Sequence, residues 1–429
     1  MAGGKGTRLS SVTKDAVPKP MVDILGKPLL ERQIEVLKKN DITEVIFIIG
    51  YLGNVIREYF GDGSRFGIKA DYIEEKEPLG TAGSFYYLKD KVGKEPFFLI
   101  FGDVLFDIDL KRMFDFHKNN SSLATLFVHP NSHPFDSDLV DCNSDGKIIK
   151  FDSKHNNRNY WYKNCVNAGL YVMNPEVCTF VSSPVKTDLE KDILSKLISE
   201  GKNVYGYKSP EYIKDIGTVE RIEAATKDIE SGFIEKRCLK NKQKCIFLDR
   251  DGTINVYKGL ISKVDNFELE NSVCESIKKI NSSEWLCIVV TNQPVVARGL
   301  CSIDDVENIH KKMETLLGRD GAYFDDVFFC PHHPDKGFPE ENPDYKIKCH
   351  CRKPDIGMLE LAAEKYNIDL SQSWIIGDTT MDIQTGKNGG LHTALVLTGE
   401  AGKDGKYQII PELTAENLLK VIDKIIGEK

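Results

Sequence analysis

Short apolar runs alternate with amphipathic stretches along the whole chain. In the first half the strand candidates are residues 44–49, 68–74, 97–101, 123–128 and 169–173. Between them, residues 28–39 and 189–199 carry apolar side chains at helical spacing. The rhythm restarts at Lys244, with apolar runs at 245–248, 286–290 and 374–376. Alternation of this kind predicts an α/β fold with a mostly parallel sheet in each half. The charged stretch 235–244 separates the halves and reads as a linker or domain edge. The expected organisation is a first domain over 1–232, a linker over 233–243 and a second domain over 244–429. A chain of 429 residues is too long for one ordinary core, which agrees with two domains. No internal repeat or low-complexity tract interrupts the pattern.

Composition narrows the class of protein. Hydrophobic residues make up 41% and charged residues 28%, as in a globular protein. No apolar run approaches the roughly 20 residues that cross a bilayer, and the first residues lack the pattern of a signal peptide. A cytoplasmic protein is expected. The net charge of −8 argues against non-specific nucleic-acid binding, so cations that matter should be local and aimed at small anions. Eleven cysteines fit a reducing compartment better than a disulfide framework, since several sit in apolar strand-like runs. The partners expected are small molecules, with neither nucleic acid nor membrane; a homo-oligomer is compatible with all of this.

Candidate chemistry in the first half centres on Ala2-Gly3-Gly4-Lys5-Gly6-Thr7-Arg8-Leu9, where exposed N–H groups stand beside two cations. Such a turn can cradle a triphosphate, although alone it is as often a plain loop. Its companions point the same way. Pro18-Lys19-Pro20 stiffens a lysine, Gly80 to Gly83 places small residues where a flat base could lie, and Asp103 follows the strand 97–101 at its C-terminal end.

These motifs resemble the sugar-1-phosphate nucleotidyltransferase family over residues 1 to about 230. The resemblance implies a Rossmann-like α/β/α sandwich in which Gly3, Gly4, Gly6 and Gly80 bind nucleotide, and Arg8 and Lys19 neutralise its phosphates. It assigns Asn167 and Lys154 to the sugar, and Asp103 and Asp215 to Mg²⁺. Two departures stand out. The family begins with an apolar strand before the glycine turn, and Met1 stands directly before Ala2-Gly3, so a missing strand and a true start further upstream are expected. The family's Glu-Lys pair near the sugar appears as Ser153-Lys154.

The second half carries Asp249-Arg-Asp251-Gly-Thr253 at the end of one apolar run and Gly377-Asp378 to Asp382 at the end of another. Asp249 can attack phosphorus and Asp251 can protonate the leaving oxygen and then activate water. Thr291, Asn292 and the Arg352-Lys353 pair add a hydroxyl, an amide and two cations. Isolated acids at strand ends are usually solvated turn residues, but four such elements in this order are not. Cys330, Cys349 and Cys351 with a neighbouring histidine have the donors and spacing of a closed structural zinc site.

This half resembles the haloacid-dehalogenase superfamily and, within it, the D,D-heptose 1,7-bisphosphate phosphatases, over residues 244 to about 400. The resemblance implies Asp249 as nucleophile, Asp251 as acid/base, and Thr291, Asn292 and Lys353 at the phosphoryl group. It also implies Arg298 and Arg352 as substrate contacts and Mg²⁺ on Asp249, Asp251 and Asp378. His332 becomes the fourth zinc ligand, in a loop spanning 330–351. Pro294-Val295 stands where the family has Ser-Gly.

Together the resemblances imply one chain that removes the 7-phosphate of a heptose 1,7-bisphosphate and transfers a nucleotidyl group, GMP from GTP, to the resulting 1-phosphate. The alternatives are a histidinol-phosphate-type phosphatase, a fusion with mannose-1-phosphate guanylyltransferase, and a phosphatase beside a non-catalytic binding or dimerisation half.

Overall fold

The computed structural model describes residues 1–3, 17–337 and 340–427. The chain forms two compact units. One comprises Met1–His129, Val140–Asp152 and Asn167–Lys240; the other comprises Pro130–Leu139, Ser153–Val166 and Asn241–Lys429. Residues 233–240, read as linker from their charge, are packed: Ile234, Cys238 and Leu239 are buried, and the Leu239 N–H donates to Glu211 at 2.9 Å. Two excursions from the first half belong to the second unit, which no pattern in the sequence anticipates. There the Tyr162 N–H donates to Thr315 Oγ1 at 2.9 Å and the Asn164 N–H to Glu314 at 2.7 Å, both on the helix Ile303–Arg319.

In the first unit, the strand Glu44–Ile49 runs parallel to Lys69–Glu74. The helix Leu29–Lys39 buries Leu30, Ile34 and Leu37, the spacing of one helical stripe, against the core. A second sheet places Val204–Lys208 parallel to Ala124–His129, while Val166–Met173 is antiparallel to Phe97–Ile100. The first unit is therefore mixed rather than mostly parallel. Met1–Gly3 lies between the two sheets and bonds to both. The Ala2 N–H donates to Ile48 at 2.8 Å, the Met1 amine to Ile100 at 2.9 Å, and Met1 accepts from Gly102 at 2.8 Å. The entry to the glycine turn is thus held on two sides.

The second unit is a parallel sheet of six strands in the order Asp326–Cys330, Trp285–Asn292, Lys244–Leu248, Trp374–Gly377, His392–Val396 and Leu413–Ala415. Runs of Ile, Val, Leu and Cys buried on both faces explain why the central strands read as continuous apolar segments. The central strand Lys244–Leu248 pairs with Trp285–Asn292 on one side and Trp374–Gly377 on the other. The C-terminal ends of these three strands are therefore neighbours.

The helix Thr380–Gly389 approaches this sheet closely through Gly386, where an added Cβ would stand 2.4 Å from methyl groups of both Ile375 and Thr393. Gly386→Ala should destabilise the second unit by about 1–3 kcal/mol, read as a lower denaturation midpoint. An unchanged midpoint would show that the helix can shift away at no cost.

Candidate active sites

Asp249 follows the central strand, and register sets its surroundings. Leu248 pairs with Val289 and Ile376, so Asp249 stands near the strand ends that deliver Thr291-Asn292 and Asp378. Its carboxylate forms an ion pair with Lys353 at 2.8 Å, and Lys353 also donates to Asp382 at 2.5 Å. Asp382 in turn accepts from Thr379 in the capping box that starts the helix Thr380–Gly389. Asn292 fixes the lysine's backbone: its amide oxygen accepts from the Lys353 N–H at 3.0 Å, and its amide nitrogen donates to the Lys353 carbonyl at 3.1 Å.

Asp249, Asp378 and Asp382 are all buried, with one carboxylate oxygen from each lying within 4.8 Å of the others. Burial pushes the Asp249 carboxyl up to about 6; Lys353 opposes the shift, while Asp382 and Asp251 add to it. Asp378 is pushed up to about 8, by burial first and then by Asp249 and Asp382. Burial would lower Lys353, but its two carboxylates outweigh that and hold the ammonium above its ordinary value. Gly252 and Gly399, both at positive φ, close on Asp378; a Cβ on either would come within 2.2 Å of its Oδ2. That oxygen accepts the Glu400 N–H at 2.7 Å, whereas Oδ1 is buried and has no partner among the described residues. An unpartnered buried carboxylate oxygen between like charges suits a hard divalent cation.

Of the three aspartates expected at Mg²⁺, Asp249 and Asp378 fall in this trio, with Asp382 as its third member. Asp251 does not join this trio. Its carboxylate takes the Arg250 guanidinium on both oxygens at 2.9 Å, the Gln293 amide at 2.8 Å and the Asn255 amide at 3.2 Å. The two motif aspartates thus have separate hydrogen-bond partners. Gln293 also donates to Thr291 Oγ1 at 2.9 Å. Sequence reasoning missed Arg250, Gln293 and Asn255 as functional residues, although all three stand inside or beside the motifs it used.

The strand Asp326–Cys330 ends on the first cysteine of the soft-donor cluster. Cys330 Sγ lies 3.5 Å from Cys349 and 3.2 Å from Cys351, and His332 Nδ1 lies 3.4 Å from Cys351 and 3.7 Å from Cys330. Four ligands converging at this spacing fit a tetrahedral zinc site, whose Zn–S bonds run about 2.3 Å. Of the two other candidate histidines, His350 pairs with Glu360 at 2.6 Å and His333 lies near Asp335. Arg352 follows the cluster directly and donates to the His332 carbonyl at 3.0 Å. Arg298, Arg352 and Lys346 all oppose a charge on His333, which burial already disfavours. A cavity of about 320 Å³ lined by His333, Lys348, Arg352, Lys353, Lys406 and Tyr407 opens beside this cationic wall.

In the first unit, Val104–Asp107 pairs antiparallel with Tyr212–Asp215, with Val104 opposite Asp215. This register brings Asp103 beside Asp215. Lys19 sits between them, 2.6 Å from Asp103 and 3.3 Å from Asp215, and Arg221 also pairs with Asp215. Gly3 is confined because a Cβ would meet Glu75 Oε2 at 2.7 Å. Gly80 has a φ of +76° and the Thr187 carbonyl 2.5 Å from where a Cβ would be. Asn167 donates to Glu190 at 2.5 Å and to Tyr171 at 2.8 Å. Glu190 belongs to the π-helix Leu189–Leu194, and nothing in a helical apolar pattern marks it out. Lys154 falls in the second unit and is exposed, with its N–H on Asp138 at 2.9 Å. Gly4, Gly6 and Arg8 lie outside the described residues.

Two family models match separate stretches of the chain. The nucleotidyl transferase family model matches residues 1–232 and a HAD-hydrolase-like model matches residues 350–421. The chain belongs to the nucleotidyl transferase family through its first half and to the HAD-like phosphatases through its second, and is an enzyme of both classes. Its second half is 36% identical over 161 residues to the D-glycero-beta-D-manno-heptose-1,7-bisphosphate 7-phosphatase of Haemophilus ducreyi, covering 37% of this chain and 86% of that protein. It is 38% identical over 187 residues to the D-glycero-alpha-D-manno-heptose-1,7-bisphosphate 7-phosphatase of Photorhabdus laumondii, covering 43% and 98%. The chain is also 30% identical over 241 residues to the mannose-1-phosphate guanylyltransferase of Mycobacterium tuberculosis, covering 56% of this chain and 66% of that protein. No helix among the described residues is long and apolar enough to cross a membrane.

The raised Asp378 carboxyl, at about 8, gives two linked pH effects in metal-free protein. A carboxyl that keeps its proton more tightly when folded makes the second unit lose stability as pH rises from about 4 toward its folded value, with no further loss above it. Bound metal must displace that proton, so Mg²⁺ affinity should fall by up to about tenfold per unit as pH drops from 8 to 6. Calorimetric titration of the apoprotein at several pH values checks this; a pH-independent affinity would contradict it.

Cys351→Ser should abolish stoichiometric zinc in protein purified without chelator and lower the melting temperature of the second unit. Elemental analysis of both proteins decides the point, and native protein devoid of zinc would refute the assignment.

Proposed function

We propose that the second unit hydrolyses the 7-phosphate of D-glycero-D-manno-heptose 1,7-bisphosphate, and that the first unit transfers GMP from GTP to the heptose 1-phosphate that remains. The observation that carries this reading is Asp249, buried at the end of the central strand, ion-paired to Lys353 and beside the unpartnered oxygen of Asp378. Asp249 attacks phosphorus, the sugar alkoxide leaves with a proton from Asp251, and an aspartyl phosphate forms. Water then gives its proton to Asp251 and attacks that phosphate, regenerating Asp249 and releasing inorganic phosphate. Asp249 and Asp378 would hold Mg²⁺, which offsets the phosphate's charge when bound. Lys353 supplies a fixed positive charge, Thr291 a hydroxyl, and Arg298 and Arg352 face the rest of the substrate. Zinc on Cys330, His332, Cys349 and Cys351 staples the loop that carries Arg352 and Lys353.

In the first unit Asp103 and Asp215 would hold a second Mg²⁺, with Lys19 and Arg8 on the triphosphate. The sugar phosphate oxygen attacks the α-phosphorus and pyrophosphate leaves. Glu190, held by the Asn167 amide and the Tyr171 hydroxyl, would offer an acceptor to sugar hydroxyls and supply the carboxylate that Ser153 lacks. Guanine and the α anomer rest on the pairing of the two activities and on relatives' names, not on a particular side chain. A cytoplasmic enzyme of small-molecule substrates is the simplest setting for these reactions.

The test separates the two products. With the bisphosphate and GTP present, Asp249→Asn should cut phosphate release by about 10³-fold or more while the fold survives. Asp103→Ala should abolish pyrophosphate release from GTP when heptose 1-phosphate is added and leave phosphate release near normal. Near-normal turnover by Asp249→Asn would remove it as nucleophile, and loss of both activities in Asp103→Ala would overturn the assignment of separate activities.

A further inference from the structure

Arg250 stands between the two motif aspartates and is the largest fully buried side chain among the described residues. A guanidinium taken wholly out of water needs a charged partner, and this one has a single carboxylate, Asp251, gripped by its NH2 on both oxygens at 2.9 Å. Its other terminal nitrogen meets His310 Nε2 at 3.3 Å, inside the same unit. His310 is itself buried, on the helix Ile303–Arg319, with its ring edge-on to Phe329 at 5.2 Å. Burial, and then the adjacent guanidinium, hold His310 well below its ordinary range, so the imidazole is neutral and able to accept. Asp249, by contrast, has its charge partner in Lys353. The site therefore assigns one cation to each aspartate.

We propose that Arg250, anchored by His310, is a positioning residue that sets where Asp251 delivers its proton, and that it acts on leaving-group departure rather than on phosphate binding. This rests on reading Asp251 as the acid/base of the phosphatase. The geometry favours positioning over simple charge balance. Asn255 and Gln293 add single bonds to one oxygen each, whereas one nitrogen of the arginine reaches both oxygens of the carboxylate. A guanidinium present just to neutralise buried acids would have no need of a third group to orient it.

The experiment exploits leaving-group chemistry in the full-length protein. An alkoxide leaving group needs a proton, whereas p-nitrophenolate does not. The ratio kcat/KM reports only steps up to leaving-group departure, so later hydrolysis of the aspartyl phosphate does not enter. Arg250→Met should lower kcat/KM for heptose 1,7-bisphosphate by about 100-fold and for p-nitrophenyl phosphate by no more than about threefold. Arg250→Lys, which keeps one donor, should recover part of the difference. Equal losses on both esters, or no loss on either, would overturn the proposal. Should Arg250→Met fail to fold by thermal melting, His310→Met carries the test. It keeps the arginine but removes its anchor, and it should show a smaller loss still confined to the alkyl ester; a uniform change would count against positioning. If wild-type protein is idle on the heptose bisphosphate, the substrate reading fails by itself, and glycerol 2-phosphate serves as the alkyl ester. A wild-type protein idle on every phosphate monoester would overturn both.

Discussion

The structure of the phosphatase site follows from one buried ammonium. Lys353 is held at 2.8 Å from Asp249 and 2.5 Å from Asp382, in a place where an unpaired charge of either sign would cost several kcal/mol. Each end of that bridge is fixed by something else. Asp249 is the continuation of the central strand, and Asp382 closes the capping box of the helix Thr380–Gly389. Lys353 itself follows the soft-donor cluster by two residues and is gripped through its backbone by Asn292. Sheet, helix and the loop bearing the Cys/His cluster therefore meet at one side chain. Removing it would leave two carboxylates unpaired and free the loop from the sheet at once.

The transferase unit solves a similar problem in a looser way. Lys19 also bridges two aspartates, but the Asp103 and Asp215 side chains are 34% and 41% exposed, against 12% and 1% for Asp249 and Asp382. Water screens the first bridge and hardly reaches the second. A cation entering between Asp103 and Asp215 competes with Lys19, whose own side chain is 11% exposed. One entering beside Asp249 finds a lysine with nowhere to go. The two bridges therefore differ chiefly in the exposure of their aspartates, with Lys353, at 3%, also the more enclosed lysine.

Much of this was legible in the chain, for identifiable reasons. The strands of the second unit are buried on both faces, so they appear as unbroken apolar runs, and an acid directly after such a run sits at the ligand-binding edge of a parallel sheet. Asp249 and Asp378 announce themselves in that way, and the cysteine spacing does the same for the metal loop. What stayed hidden depends on side-chain direction and on distant pairing. No periodicity tells that Asp251 turns toward Arg250 while Asp382 turns toward Lys353. Asp103 and Asp215 meet only through the register of a short antiparallel pair. Glu190 is brought to Asn167 by a π-helical turn, and Lys154 is carried into the other unit by an excursion that composition does not mark.

The proposed sequence of reactions puts a particular demand on the phosphatase. Its substrate carries two phosphates, and the anomeric one must survive because the transferase consumes it. Intrinsic reactivity cannot make that choice, since the anomeric oxygen is not the poorer leaving group. The choice has to come from where the sugar is held and from where the proton is delivered. The first requirement falls to Arg352, Lys348 and Lys406, which line the cavity beside Lys353 and can hold the second phosphate away from Asp249. The second falls to Asp251, whose carboxylate is held by Arg250, Gln293 and Asn255. A proton aimed at one oxygen is worth little to an ester bound the wrong way round, so the two constraints reinforce each other. Selectivity for one of two similar phosphates then emerges from geometry alone, with no difference in chemistry required between them.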